Sequence, residues 1–167
     1  MIILKMKQVF LSIGSNLGNR EENLKIALSR IREEIGSILI SSSFYETEPW
    51  RFDTKNQFLN MAVTVETKIE PPALLEALIG IEKSMGRTRD KEQYSSRVID
   101  IDILFYEDLI IEAYDLKIPH PHIPERRFVL VPLVEIAPEF IHPILNKTVS
   151  YLLDNCTDNG LVIKTTI

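Results

Sequence analysis

The stretch Arg97–Ala113, RVIDIDILFYEDLIIEA, decides the fold. From Val98 to Phe105 every residue is apolar except Asp100 and Asp102. A short run rich in isoleucine predicts a strand over Val98–Tyr106. Residues two apart on a strand share a face at about 6.5–7 Å. Ile99, Ile101, Ile103 and Phe105 then point one way, and Val98, Asp100, Asp102 and Leu104 the other. The first set belongs under a core. The second puts two like charges beside apolar walls, where they repel and lose hydration. A hard divalent cation such as Mg²⁺ relieves both problems. A strand whose second face is simply wet is the commoner explanation of an isolated D-x-D.

The flanking residues shift that balance. Upstream, GRTRDKEQYSSR brings Arg87, Arg89, Lys91 and Arg97 together in an otherwise acidic chain. Downstream, PHPHIPERRF adds His120, His122, Arg126 and Arg127. Guanidinium groups take phosphate oxygens in pairs, and Mg²⁺ bridges carboxylates to phosphates. A solvated charged loop is the plainer alternative. His120 and His122 alone, two apart among prolines, do not make a transition-metal site. Neither G-x-x-x-x-G-K-[ST] nor G-x-G-x-x-G occurs, so a nucleotide would be held without a P-loop or Rossmann turn.

Working outward, QVFLSIG (Gln8–Gly14) predicts a first strand ending at a glycine turn. Asn19 and Glu22 have capping-box spacing, followed by Leu24, Leu28, Ile31 and Ile35 at helical period, with Gly36 at the end. A second strand runs from Ile38 to Glu48, and a third over Phe58–Thr67 with Leu59, Met61, Val63 and Val65 on one face. A second helix starts at Pro71-Pro72, buries Leu74, Leu78, Ile81 and Met85, and stops at Gly86. Gly80 within it suggests a close backbone approach. The order β-α-β-β-α-β is the split βαβ arrangement, an α+β fold with an antiparallel sheet and both helices on one face. Six of nine prolines lie from Pro119 onward. The last third is therefore expected to be irregular and Pro-rich, with short helices at Phe128–Glu135 and Val149–Asp154.

Composition narrows the class. The 167 residues, 45% hydrophobic, fit a single domain over 1–167. A net charge of -5 argues against a nucleic-acid or membrane-surface partner. One cysteine, Cys156, allows no internal disulfide, which suits a reducing cytoplasm. The opening MIILKMKQVF is too short in apolar residues for a signal peptide or a span.

Together these residues resemble the 6-hydroxymethyl-7,8-dihydropterin pyrophosphokinase family. The likeness runs in order through IGSNLGN, SSFYETEPW, FLNMAV, IEKSMGR, SRVIDIDILFY, IPHPHIPERRFVLVPLVEIAP and HPILNKTV. It implies a ferredoxin-like fold, a monomer, and transfer of the β,γ-pyrophosphoryl group of ATP to the pterin hydroxymethyl oxygen, with AMP leaving. It implies two Mg²⁺ ions on Asp100 and Asp102, with Arg87 and Arg97 also in the catalytic set. Arg89, Arg97, His120 and Arg126 would contact phosphates, and Ile103 would adjoin the nucleotide. Thr47, Trp50 and Asn60 would meet the pterin, which Phe58 and Phe128 would sandwich, and Glu82 would organise the site from behind. The chain departs from the family at Tyr94-Ser95-Ser96, where Trp-Gly-Pro is common, and at Pro121, where some members have tyrosine. Two rivals fit parts of the pattern: a non-catalytic ferredoxin-like ligand-binding module, and a Mg²⁺-dependent kinase acting on another alcohol.

Overall fold

The sheet is built around β1 (Lys7–Ser15), which pairs antiparallel with β4 (Phe58–Thr67) on one side and β5 (Asp100–Tyr106) on the other. This computed structural model describes residues 4–87 and 96–166. Arg89, Lys91, Tyr94 and Ser95 lie outside the described residues. β2 (Ser37–Ser41) and β3 (Tyr45–Thr47) both pair with β4, and β8 (Val162–Lys164) pairs with β3, giving the order β5-β1-β4-β3-β8. The expected second strand is thus two strands, with residues 42–44 between them. A minor ribbon, β6 (Ile111–Glu112) and β7 (Lys117–Ile118), follows β5.

Helix α1 (Arg20–Glu34) starts where Asn19 caps the amide of Glu22, with Glu21 and Glu22 in its first turn. Helix α2 (Pro71–Ser84) opens on two prolines, and Gly86 beyond its end has a φ of 92°, open to glycine at little cost. Both cover one face of the sheet, burying Leu24, Leu28, Ile31, Leu74, Leu78 and Ile81 against Val9, Leu11, Ile13, Leu59, Met61, Val63, Ile99, Ile101 and Ile103. A Cβ at Gly80 would meet open space, so the close approach expected there does not occur. It occurs at Gly36 instead, where a Cβ would collide with the carbonyl oxygen of Glu66.

The other face is partly covered too. Helices α3 (Arg127–Ile136) and α4 (Val149–Asp154) bury Val129, Leu130, Leu133, Val149 and Leu152 against Phe10, Ala62, Leu104 and Phe105. Phe105 therefore lies on the face opposite to the one its alternation predicts. The cause is a break in register between β1 and β5: Phe10 faces Phe105 but Leu11 faces Ile103. One extra residue on β5 turns the following side chains over, so Phe105 joins the α3 side and Tyr106 the α1 side. What α3 and α4 leave bare on this face is the end of the sheet bearing the two aspartates.

Candidate active site

Across that bare end the ladder sets residues in rows. Asp100 pairs with Gly14, and Gly14 with Asn60; Asp102 pairs with Ser12, and Ser12 with Ala62. The middle strand contributes only small residues, so the floor is a trough. Asp100 and Asn60 are two ladder steps apart, about 10 Å. Gly14 is not a turn glycine: it lies inside β1, and a Cβ there would collide with the Asn60 side-chain oxygen. The trough opens into a cavity of about 220 Å³ whose walls include Thr47, Trp50, Phe58 and Phe128 at one end and Arg87, Arg97, His120 and Arg126 at the other.

The acidic end is dense with charge. Arg87 Nη1 donates to Asp100 Oδ1 at 2.6 Å and to Glu82 Oε1 at 2.5 Å, and Arg97 Nη1 donates to Asp100 Oδ2 at 3.0 Å. Glu82 is buried on α2 and also accepts the Ile101 amide at 2.8 Å, so it fixes both Arg87 and the start of β5. Burial works against the Arg87 charge, but Asp100 and Glu82 outweigh it and raise its pKa. Asn16 accepts the Arg97 amide at 2.7 Å and donates its own amide to the Arg97 carbonyl, shaping the approach to β5.

Asp102 is different. Among the described residues its one ion-pair partner is Arg126 at 3.8 Å, and burial, aided by the charge of Asp100, pushes its carboxyl up to about 7. Two hard carboxylates on one face suit a divalent ion, and an ion there would relieve that cost. Among the described residues no third acidic, histidine or cysteine side chain joins them. The remaining ligands would come from phosphate or water, as is usual for Mg²⁺.

Arg126 is buried, and its Nε finds no acceptor among the described residues. Its guanidinium carbon lies 4.5 Å from the centre of the Trp50 ring and 5.7 Å from that of Phe128. Such stacking holds a planar cation while leaving its edge free for an anion. His120 accepts the His122 amide at Nδ1, which leaves its proton on Nε2. Burial, with Arg126 and His122 nearby, pulls its pKa down to about 3, so it is a neutral donor at ordinary pH.

At the other end Asn60 Nδ2 donates to Thr47 Oγ1 at 2.6 Å, both buried. Phe58 packs edge-on to Phe52, with ring centres 5.9 Å apart. Thr47, Trp50, Phe58, Asn60, Arg87, Arg97, Asp100, Asp102, His120, Arg126 and Phe128 thus converge on one cavity. Ile103 does not: its side chain is buried beneath α1 and α2. Sequence reasoning missed Ser12 and Gly14 as the trough floor. A glycine interrupting a strand is the signal that marks the floor.

An α+β sheet with carboxylates and arginines converging on one cleft defines a polyphosphate-handling enzyme. The family model for 7,8-dihydro-6-hydroxymethylpterin-pyrophosphokinase matches residues 10–138. A Porphyromonas gingivalis protein named 2-amino-4-hydroxy-6-hydroxymethyldihydropteridine pyrophosphokinase is 40% identical over 141 residues, spanning 83% of this chain and 95% of that one. The Aquifex aeolicus protein of that name is 39% identical, spanning 85% and 88%. "Folic acid synthesis protein FOL1" of Dictyostelium discoideum is 41% identical, but the match spans only 23% of it. A solved Plasmodium falciparum HPPK-DHPS shares the fold with a TM-score of 0.75 at 20% identity, over 90% of this chain and 44% of that one. The chain belongs to the 7,8-dihydro-6-hydroxymethylpterin-pyrophosphokinase family and is a pyrophosphokinase of folate biosynthesis.

Proposed function

We propose that this chain, a ferredoxin-like domain, moves the β,γ-pyrophosphoryl group of ATP onto the hydroxymethyl oxygen of 6-hydroxymethyl-7,8-dihydropterin and releases AMP. One observation carries the reading. A carboxylate pair ringed by arginines and an amide flanked by aromatic rings stand about 10 Å apart in one trough. The first end suits a polyphosphate and the second a flat heterocycle with polar edges.

Asp100 and Asp102 would hold Mg²⁺, with two ions expected, and bound Mg²⁺ would neutralise phosphate charge and acidify the attacking alcohol. Arg87 and Arg97, which lie on a carboxylate here, meet the same charge and geometry in a phosphate. Arg126, which lines the cavity, would meet the terminal phosphates, and His120 would donate from Nε2 without titrating. Together they would stabilise charge spreading over the transferred oxygens. Arg89, outside the described residues, joins this set by family likeness. Thr47 and Asn60 would pair with the pterin edge while Phe58 and Phe128 close on its faces. That aims the hydroxymethyl group along the trough toward the phosphates. The family likeness also brings a monomer into the reading. A cytoplasmic location is also part of the reading; among the described residues no helix is long and apolar enough to cross a membrane.

The test is to incubate the protein with ATP, Mg²⁺ and the pterin and separate the spent nucleotide. AMP with pterin pyrophosphate is expected. ADP with pterin monophosphate would refute the reading in favour of a kinase, and unchanged ATP in favour of a binding module.

A further inference from the structure

The wall formed by Trp50 and Phe128 has cavities on both sides. One is the trough; the other, about 290 Å³, lies between the wall and the segment Asp158–Val162. The wall is therefore not held by packing alone. It is pinned at its edges by hydrogen bonds from the tail of the chain.

Those bonds reach both parts of the wall. Asp158 Oδ2 accepts the amide of Arg127, the first residue of α3, at 3.0 Å. The residue in the cap position itself, Arg126, makes no side-chain cap bond. Asp158 thus does from 31 positions away what a cap residue does locally, satisfying an orphan amide at a helix start. Its other oxygen accepts Gly160 N at 2.9 Å, which fixes the carboxylate in the turn that leads to β8. On the Trp50 side, Leu161 N donates to Glu48 Oε2 at 3.2 Å and Glu48 N to the Leu161 carbonyl at 3.3 Å. β8 then pairs Val162 with Thr47. The segment spans the strand that carries Thr47, the loop that carries Trp50 and the turn that presents Arg126 and Phe128. It also lies outside the residues matched by the family model.

We infer that Asp158 is a positioning residue for the pterin end of the site, clamping the first turn of α3 so that Phe128 and Trp50 hold a fixed wall. The inference rests on the pterin reading given above. Asp158 does not line the trough and acts through the amides of Arg127 and Gly160.

Trp50 is the only tryptophan, so the emission of the whole protein reports this wall. In Asp158→Ala that emission should shift to the red as the wall loosens. The pterin Kd should rise about fivefold, equivalent to about 1 kcal/mol and in the range of a lost cap. Asp158→Asn keeps one acceptor oxygen for the two amides that Asp158 serves, so it should fall between wild type and the alanine variant in both. All three proteins are to be measured well below their melting temperatures. Wild-type emission and Kd in Asp158→Ala would overturn the inference. A wild-type protein that fails to bind the pterin refutes the pterin reading instead, while the emission shift in Asp158→Ala still tests the clamp.

Discussion

Asp100 and Asp102 look alike in the sequence, but the structure predicts opposite effects of removing them from the metal-free protein. Asp100 accepts from two arginines at 2.6 and 3.0 Å. Asp100→Asn breaks charge-assisted bonds and should cost about 1.5–3 kcal/mol. Among the described residues Asp102 pairs only with Arg126, at 3.8 Å, and its rise from 3.8 to about 7 records a penalty on its charge. At face value that rise is worth about 4 kcal/mol. The side chain is 32% exposed, and solvent screening reduces the figure to about 2 kcal/mol. Asp102→Asn should therefore be more stable than wild type at pH 8 in EDTA, melting about 4–8 °C higher.

A carboxyl whose folded pKa lies above its unfolded value contributes stability below the unfolded value and loses it as pH rises through the folded one. The advantage of Asp102→Asn should be absent near pH 4, grow through pH 7 and be complete by about pH 8. Urea unfolding across that range measures it. Both variants should lose pyrophosphoryl transfer, and Mg²⁺ with an ATP analogue should raise the melting temperature of wild type alone. An Asp100→Asn protein as stable as Asp102→Asn, or an Asp102→Asn advantage that ignores pH, would refute the assignment of charges in the cleft.

Phe128→Ala should weaken pterin binding by about 1–3 kcal/mol, by analogy with base stacking, and leave an ATP analogue largely unaffected in parallel titrations. Gly14→Ala drives a methyl into the Asn60 amide, so pterin affinity should fall at least about tenfold while the nucleotide analogue binds as before. Tyr45 donates to Glu135 at 2.5 Å, and Tyr45→Phe should cost about 1.5 kcal/mol near neutrality in urea unfolding. Burial, then Glu135, pushes Tyr45 up to about 12; burial opposes the bonds from Tyr45 and Ser43 that hold Glu135 below its usual range. The stability tied to Glu135 is lost as pH falls through its folded pKa, and that tied to Tyr45 as pH rises through about 12. The gap between wild type and Tyr45→Phe should thus be widest from about pH 5 to pH 10 and close on either side.

Much of this arrangement was legible because it is written in local periods. The alternation in β4 separates Leu59, Met61, Val63 and Val65 from Phe58 and Asn60, and the structure keeps that division. The stripe of α1 and the prolines opening α2 place both helices on one face, leaving Asp100 and Asp102 on the other. The convergence of Arg87, Arg97 and Arg126 on that face followed from their flanking positions, though not the fact that two of them already lie on Asp100.

What stayed hidden depends on partners far away in the chain. Nothing in LFY announces that Phe105 turns over, because the extra residue exists only in register with Phe10 and Leu11 of β1. Nothing in Ile38–Glu48 announces two strands, because both take their register from β4. The tail is the extreme case. TDNGLVIK reads as a short polar turn and a few apolar residues, with no period long enough to carry meaning. Yet Asp158 reaches Arg127 across 31 positions and Leu161 reaches Glu48 across 113. A single accepted hydrogen bond leaves no periodic trace, whereas a buried face must repeat every two residues on a strand or about every 3.6 on a helix. The core of such a protein is therefore readable from pattern, while the braces that aim its binding groups are found only once the chain has closed on itself.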